Sequence, residues 1–172
     1  IVQVHAGEFG ALIGPTGAGK SSVVRALAGE WAAQGTVHLF GRCLSRWPRH
    51  ELARRMAVMP QQSQLNFDFT VSEVVKMGRL PHRGEAVHRT RTAVEASMNA
   101  LALEPLALRR FTTLSGGERQ RVQFARVMAQ LWGVEEPTLL LLDEPTSALD
   151  LAKQQAVLDQ AWQLGRRGTT VL

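Results

Sequence analysis

The sequence contains no tyrosine, one cysteine, and aromatic residues at only 6% of its positions. A lone thiol, Cys43, excludes an internal disulfide, and with no second cysteine nearby it does not begin a zinc-binding pattern. A reducing, cytoplasmic setting fits this usage. Long apolar runs are also missing. No stretch approaches the roughly 20 residues that cross a bilayer as a helix, and no charged-then-apolar leader precedes a small-residue cleavage site. Any link to a membrane is therefore expected to run through a partner. Basic tracts are absent as well: the net charge is +5, but the lysines and arginines are scattered. That pattern reads as a solvated basic surface, and no nucleic-acid partner is expected.

What remains is ordinary globular composition, with 45% hydrophobic and 20% charged residues over 172 positions. That length suits one domain, and residues 1–172 are read as one. The chain opens at Ile1 without a methionine and stops at Leu172 inside a strand-like stretch, so both ends read as cut.

Residues 9–13 form a short, mostly apolar run, followed at once by Gly14-Pro15-Thr16-Gly17-Ala18-Gly19-Lys20 and a helical pattern over 21–28 that stops near Gly29. Residues 36–40 read as a strand, 48–55 as a short helix with Pro48 in its first turn, and 56–59 as a second apolar strand ended by Pro60. From 70 to 114 the pattern is helical. Thr70 and Glu73 make a capping box for 71–77, and a longer helix is predicted over 85–101. A small helical subdomain is placed here, at about 62–118. Ser115 and Glu118 form a second capping box, with Val122, Ala125, Met128 or Ala129, and Trp132 recurring at helical spacing behind them. Residues 139–142 are apolar without alternation, as in a central parallel strand covered on both faces, with Asp143 at its carboxyl end. Asp150 can cap a last helix over 151–164 that carries Val157, Leu158, Ala161 and Leu164 on one side, with Gly165 as its stop.

Gly14 to Ser21 matches G-x-x-x-x-G-K-[ST] in the strand–loop–helix setting that gives the pattern meaning. The glycines let main-chain N–H groups wrap phosphates, Lys20 reaches the outer phosphates, and the Ser21 hydroxyl binds magnesium. An ordinary glycine turn would need neither Lys20 nor Ser21. Asp143, at the end of the predicted central strand, can hold the metal through water. Beside it, the Glu144 carboxylate can orient and deprotonate a water attacking a terminal phosphate. Ser115-Gly116-Gly117-Glu118 places a hydroxyl, two side-chain-free N–H groups and a helix start in succession, which makes a second phosphate-binding surface on one chain. Capping alone would explain Ser115 and Glu118, but it requires neither glycine.

These segments together resemble the ATP-binding cassette family. Residues 14–21 look like its Walker A, Leu114 to Glu118 like its signature, Leu139 to Pro145 like its Walker B, and Ser147-Ala148-Leu149-Asp150 like its D-loop, in the family's order and spacing. The resemblance implies an α/β P-loop fold with a mainly parallel sheet, an N-terminal antiparallel portion and an inserted helical subdomain. It implies ATP and Mg2+ as cofactors and a head-to-tail dimer, in which Ser115, Gly116 and Gly117 act on the nucleotide held by the second copy. By the same resemblance Gln61 is the Q-loop glutamine, reaching magnesium and the attacking water. Ser22 stands where the family usually has threonine, and the adenine-stacking aromatic residue and the switch histidine fall outside the sequence.

The stretches around Met59-Pro60-Gln61, Phe67 to Val75 and Met77-Gly78-Arg79 are similar to ATPase subunits of bacterial importers for iron-siderophore, haem and cobalamin, and to the haemin branch in particular. That similarity implies two transmembrane permease subunits, a periplasmic binding protein that acts indirectly, and a place on the cytoplasmic face of the inner membrane. Substrate would never touch this subunit, so His5, His38, His50, His82 and His88 are expected to be surface histidines. No two of them lie at helical ligand spacing. The alternative readings are a non-transport cassette protein acting on nucleic acid or ribosomes, a different P-loop enzyme such as a kinase, and a module that holds ATP without turnover. The short span from Walker A to signature disfavours the first, the signature itself the second, and Glu144 the third.

Overall fold

The computed structural model describes residues 3–15, 17–31, 35–61, 68–147 and 149–172. Thr16, Gln62, Phe67 and Ala148 lie outside the described residues. At the centre are three parallel strands in the order β3 (Met56–Met59), β4 (Thr138–Leu142), β5 (Thr169–Val171). Val58 pairs with Leu141 and Leu140 with Val171.

The uninterrupted apolar run of β4 is explained by what covers it. Leu139 and Leu141 point to one side, packing with Val24 of α1 (Lys20–Leu27) and with Met56. Leu140 points to the other, into a larger core with Val122 and Phe124 of α5 (Gly116–Leu131) and Val157 and Ala161 of α6 (Leu151–Arg166). A strand buried on both faces has no reason to alternate.

The expected strand at 9–13 is corrected to a single parallel bridge between Phe9 and Val171. Gly10 N–H donates to the Val171 carbonyl at 2.8 Å and Val171 N–H to the Glu8 carbonyl at 2.9 Å. On that edge, Val171 is the one pairing position found among the described residues, so the apolar run continues unpaired and leaves Ile13 exposed. The expected strand at 36–40 shortens to β1 (His38–Leu39), which pairs antiparallel with β2 (Arg42–Cys43). Phe40 and Gly41, with φ of 51° and 76°, make the two-residue turn that right-handed strand twist favours.

Pro48 is the N-cap of α2 (Arg49–Arg55), and both capping boxes are formed, at α3 (Val71–Met77) and at α5. The helix boundaries that differ most from expectation are those of α4 (Val87–Asn99) and α6. α4 begins later than residue 85 because Glu85 is drawn into a buried ion pair with Arg79 at 2.5 Å. α6 runs through Gly165, which is buried facing the Phe9 ring, and ends at Arg166; Gly168 follows with φ of 98°. Gly165 is thus a packing glycine and not the helix stop. Leu158, expected on the buried side of α6, is exposed. Among the described residues no helix is long and apolar enough to cross a membrane.

Candidate functional site

The glycine loop leads directly into α1. Gly17 and Gly19 have φ of 84° and 85°, a backbone that side chains rarely adopt, and Gly19 is the N-cap. No side chain caps this helix start and no acidic residue sits in its first turn, so its positive end stays open to an anion. Lys20 folds back over the loop, its Nζ donating to the carbonyls of Gly14 at 2.8 Å and Pro15 at 3.0 Å. Within the loop, Ala18 N–H donates to the Pro15 carbonyl at 3.2 Å, and a Cβ on Gly14 would meet the Ala18 Cβ at 3.3 Å. Ser22 follows Ser21 in the first turn of α1.

Asp143 stands just past the end of β4 and is buried. Its N–H donates to the Met59 carbonyl at 3.0 Å, which ties it to the neighbouring strand, and its Oδ1 accepts from Ser21 Oγ at 2.9 Å. Residues 122 positions apart in sequence are thereby joined. Gln61, two residues beyond β3, donates from Nε2 to Glu144 Oε2 at 2.6 Å. A hydroxyl, a buried carboxylate and an amide thus stand at one edge of the sheet. All three are hard oxygen donors, the set that suits magnesium. Glu144 is exposed and has φ of 50°, so its main chain is left-handed without being glycine.

Ser115, Gly116 and Gly117 sit at the start of α5. Ser115 N–H donates to Glu118 Oε2 at 2.8 Å, and Glu118 N–H donates to Ser115 Oγ at 3.3 Å. The Ser115 N–H and hydroxyl hold the Glu118 carboxyl below the usual carboxylate range. Ser115 and Gly116 are exposed. Among the described residues no hydrogen bond joins 115–117 to the glycine loop or to Asp143 and Glu144. The structure therefore brings Lys20, Ser21, Gln61, Asp143 and Glu144 to one edge and leaves Ser115 and Gly116 open to solvent.

Two supporting residues, Gln120 and Gln154, are not among those the motifs single out. Gln120, buried on α5, donates from Nε2 to the Glu144 carbonyl at 3.0 Å. Gln154 of α6 donates to the carbonyls of Thr146 at 3.3 Å and Leu149 at 3.0 Å, pinning the same turn from the other side. A signal for Gln120 was present: it shares the helical face of Phe124, Val127 and Leu131, all buried, and a polar residue on such a face usually has a partner. His82 is a correction. It is half-buried, not a surface residue, and its Nε2 lies 2.7 Å from the Gln130 carbonyl.

The family model described as "ABC transporter" matches residues 2–147. Hemin import ATP-binding protein HmuV of Pseudomonas entomophila (strain L48) is 51% identical over 172 residues, covering 99% of this chain and 67% of that protein. HmuV of Plesiomonas shigelloides is 45% identical over 184 residues, at 99% and 70% coverage. The chain thus spans about two thirds of the length of these relatives. Among solved structures, an inward-facing ABC transporter described there as of metal-chelate type superposes with a TM-score of 0.77 at 33% identity, over 98% of this chain and 62% of that one. A bacterial Atm1-family ABC exporter with ATP bound gives 0.78 at 28% identity, over 96% of this chain and 29% of that one. An exporter fits as well as the metal-chelate transporter, so the fold alone does not set the direction of transport.

Proposed function

The chain belongs to the ABC transporter family, and from that premise we propose that it is the ATP-binding and hydrolysing subunit of a bacterial haemin importer. The observation that carries the ATPase reading is the hydrogen bond from Ser21 to Asp143 beside the glycine loop, with the Gln61–Glu144 pair adjoining it. That arrangement supports a division of labour. Gly14, Pro15, Thr16, Gly17, Ala18, Gly19 and Lys20 cradle the phosphates of ATP, with Ser21 and Ser22 closing the helix start behind them. Ser21, Gln61 and Asp143 hold Mg2+, which when bound neutralises charge on the outer phosphates. Glu144 takes the proton of a water that attacks the terminal phosphorus in line as ADP leaves.

Ser115, Gly116 and Gly117 point to a second nucleotide contact. An exposed hydroxyl and an exposed glycine at a helix start, with no hydrogen bond to the chain's own loop among the described residues, suit the nucleotide of a second copy in a head-to-tail dimer. Residues at about 62–118 serve as the helical subdomain that meets two transmembrane permeases. A periplasmic binding protein acts further upstream, and the subunit works on the cytoplasmic face of the inner membrane.

Haemin as cargo rests on the relatives' name at 45–51% identity over nearly the whole chain. The metal-chelate description of the structural neighbour suits haemin and equally a second reading, an importer for iron-siderophore or cobalamin. Growth on haem under iron limitation separates the two. A strain lacking the full-length gene is expected to lose haem use and recover it with the wild-type gene but not with Lys20→Ala. Intact haem use alongside failed siderophore or cobalamin uptake would move the cargo and leave the ATPase reading standing.

A further inference from the structure

Glu144 holds its carboxylate on a main chain with φ of 50°, a conformation a glutamate keeps only where its surroundings impose it. Among the described residues, the groups that impose it are few. The Glu144 carbonyl accepts from Ser147 N–H at 3.3 Å and from Ser147 Oγ at 3.2 Å, but Ser147 belongs to the same turn and moves with it. Asp143 N–H is fixed to β3 through the Met59 carbonyl, which anchors the turn where it begins. Past that anchor, among the described residues, Gln120 Nε2 ties the Glu144 carbonyl to another element, donating at 3.0 Å, while Gln154 holds the later part of the turn at the Thr146 and Leu149 carbonyls.

Gln120 is well placed to be rigid. It is buried on α5, with Val122, Phe124 and Ala125 beside it fully enclosed in the core. The same carboxylate is met at its outer end by Gln61 at 2.6 Å, so the glutamate is held at both its main chain and its side chain. A hydrogen bond that keeps a strained backbone in place controls where the attached carboxylate points, and a misplacement of about 1 Å at a reacting group costs up to about a hundredfold in rate.

We infer that Gln120 is a positioning residue for ATP hydrolysis: its side-chain amide clamps the left-handed main chain of Glu144 and so aims the carboxylate at the attacking water. The inference rests on Glu144 being the base. It makes no demand on the phosphate loop, because the contacts of Lys20 with Gly14 and Pro15 and of Ser21 with Asp143 do not pass through Gln120.

The test is steady-state and single-turnover ATP hydrolysis by the full-length subunit in its transporter complex. Gln120→Leu removes the donor and is expected to lower kcat by about tenfold to about a hundredfold. KM for ATP and the affinity for a fluorescent ATP analogue should stay within about twofold, the signature of an interaction that matters to the reaction and not to binding. Combined with Glu144→Gln, the same substitution should cost nothing further, since Gln120 acts through that carboxylate.

Gln120→Glu supplies a second arm that decides the matter even if the leucine variant fails to assemble. An ionised carboxylate cannot donate to a carbonyl, whereas its protonated form can, and burial raises its pKa. Its kcat relative to wild type should therefore climb as pH falls from about 8.5 to about 6. Unchanged kcat in Gln120→Leu, an equal loss on top of Glu144→Gln, or a flat ratio for Gln120→Glu overturns the inference. Full turnover in Glu144→Gln alone overturns the base assignment and this inference with it, which distinguishes the two failures.

Discussion

Replacing Gly78 with alanine should destabilise the protein even though glycine is not needed there for its backbone. Gly78 ends α3 with φ of −57°, an ordinary helical value that alanine adopts freely. The obstacle is across the helix pair: a Cβ at this position would lie 2.1 Å from the carbonyl oxygen of Arg126 and 3.1 Å from its carbonyl carbon. Both belong to the main chain of α5, so no side chain can rotate aside. The two helices must separate by roughly 1 Å, and a gap of that size forfeits about a quarter to a half of each dispersion contact along the seam. Val71, Val74 and Val75 on α3 and Val122 and Ala125 on α5 are fully buried there, so the loss is shared by many contacts.

Overpacking of this kind costs about 1–3 kcal/mol, and the smaller unfolded-state entropy of alanine returns about 0.4–1 kcal/mol. A net loss of about 1–2 kcal/mol, with a urea slope of about 1–3 kcal/mol per molar, moves the midpoint down by about 0.3–2 M. Equilibrium urea unfolding of the full-length subunit measures this, with Val87→Ala, at a position 85% exposed, as the control expected to stay near zero. A Gly78→Ala midpoint equal to that of wild type would refute the close approach of α3 and α5.

Two further outcomes follow from the cluster next to that seam. Arg79 is buried, paired to Glu85 at 2.5 Å, and its Nη1 donates to the carbonyls of Ala129 at 2.7 Å and Trp132 at 3.0 Å, which caps the end of α5. Arg79→Met should cost about 3–5 kcal/mol in urea unfolding, because it strands a carboxylate and several helix-end carbonyls; a loss below about 1 kcal/mol would contradict this. His82 has its pKa lowered, first by burial, with the Gln130 carbonyl acting in the opposite direction. The fold therefore favours the neutral ring: its contribution is complete above the unfolded value of about 6.5 and is lost as pH falls from there through the folded value. Thermal melts should show stability dropping between about pH 7.5 and about pH 5.5, with a shallower slope in His82→Gln; an identical slope would remove His82 as the cause. Glu85, whose carboxyl Arg79 holds below its usual range, loses its contribution only at lower pH, below the unfolded value of about 4.3.

What could be read from the sequence was whatever is written locally. The Thr70–Glu73 and Ser115–Glu118 capping boxes, the Asp150 cap and the unalternating β4 are each specified within a few residues, and each is present. Misreadings came where distant contacts decide. Residues 9–13 have strand composition but one pairing position, Glu85 has helical spacing but an arginine partner, and Gly165 looks like a stop but faces the Phe9 ring. Gly78 is the same lesson in another form, since nothing near it in sequence reveals Arg126. At the site, the glycine loop and the Asp143-Glu144 pair are contiguous and therefore legible. Gln61 is marked only by family resemblance, and the partner of Gln120 is not written locally because it lies 24 residues on.

With Glu144 as the base for hydrolysis of ATP held by the glycine loop, the decisive measurement is ATP turnover by full-length Glu144→Gln protein. With Mg2+ and ATP the variant should retain nucleotide, lose turnover by about a hundredfold or more, and run as an ATP-dependent dimer in size-exclusion chromatography. Turnover equal to wild type would contradict the account, whatever the transporter carries.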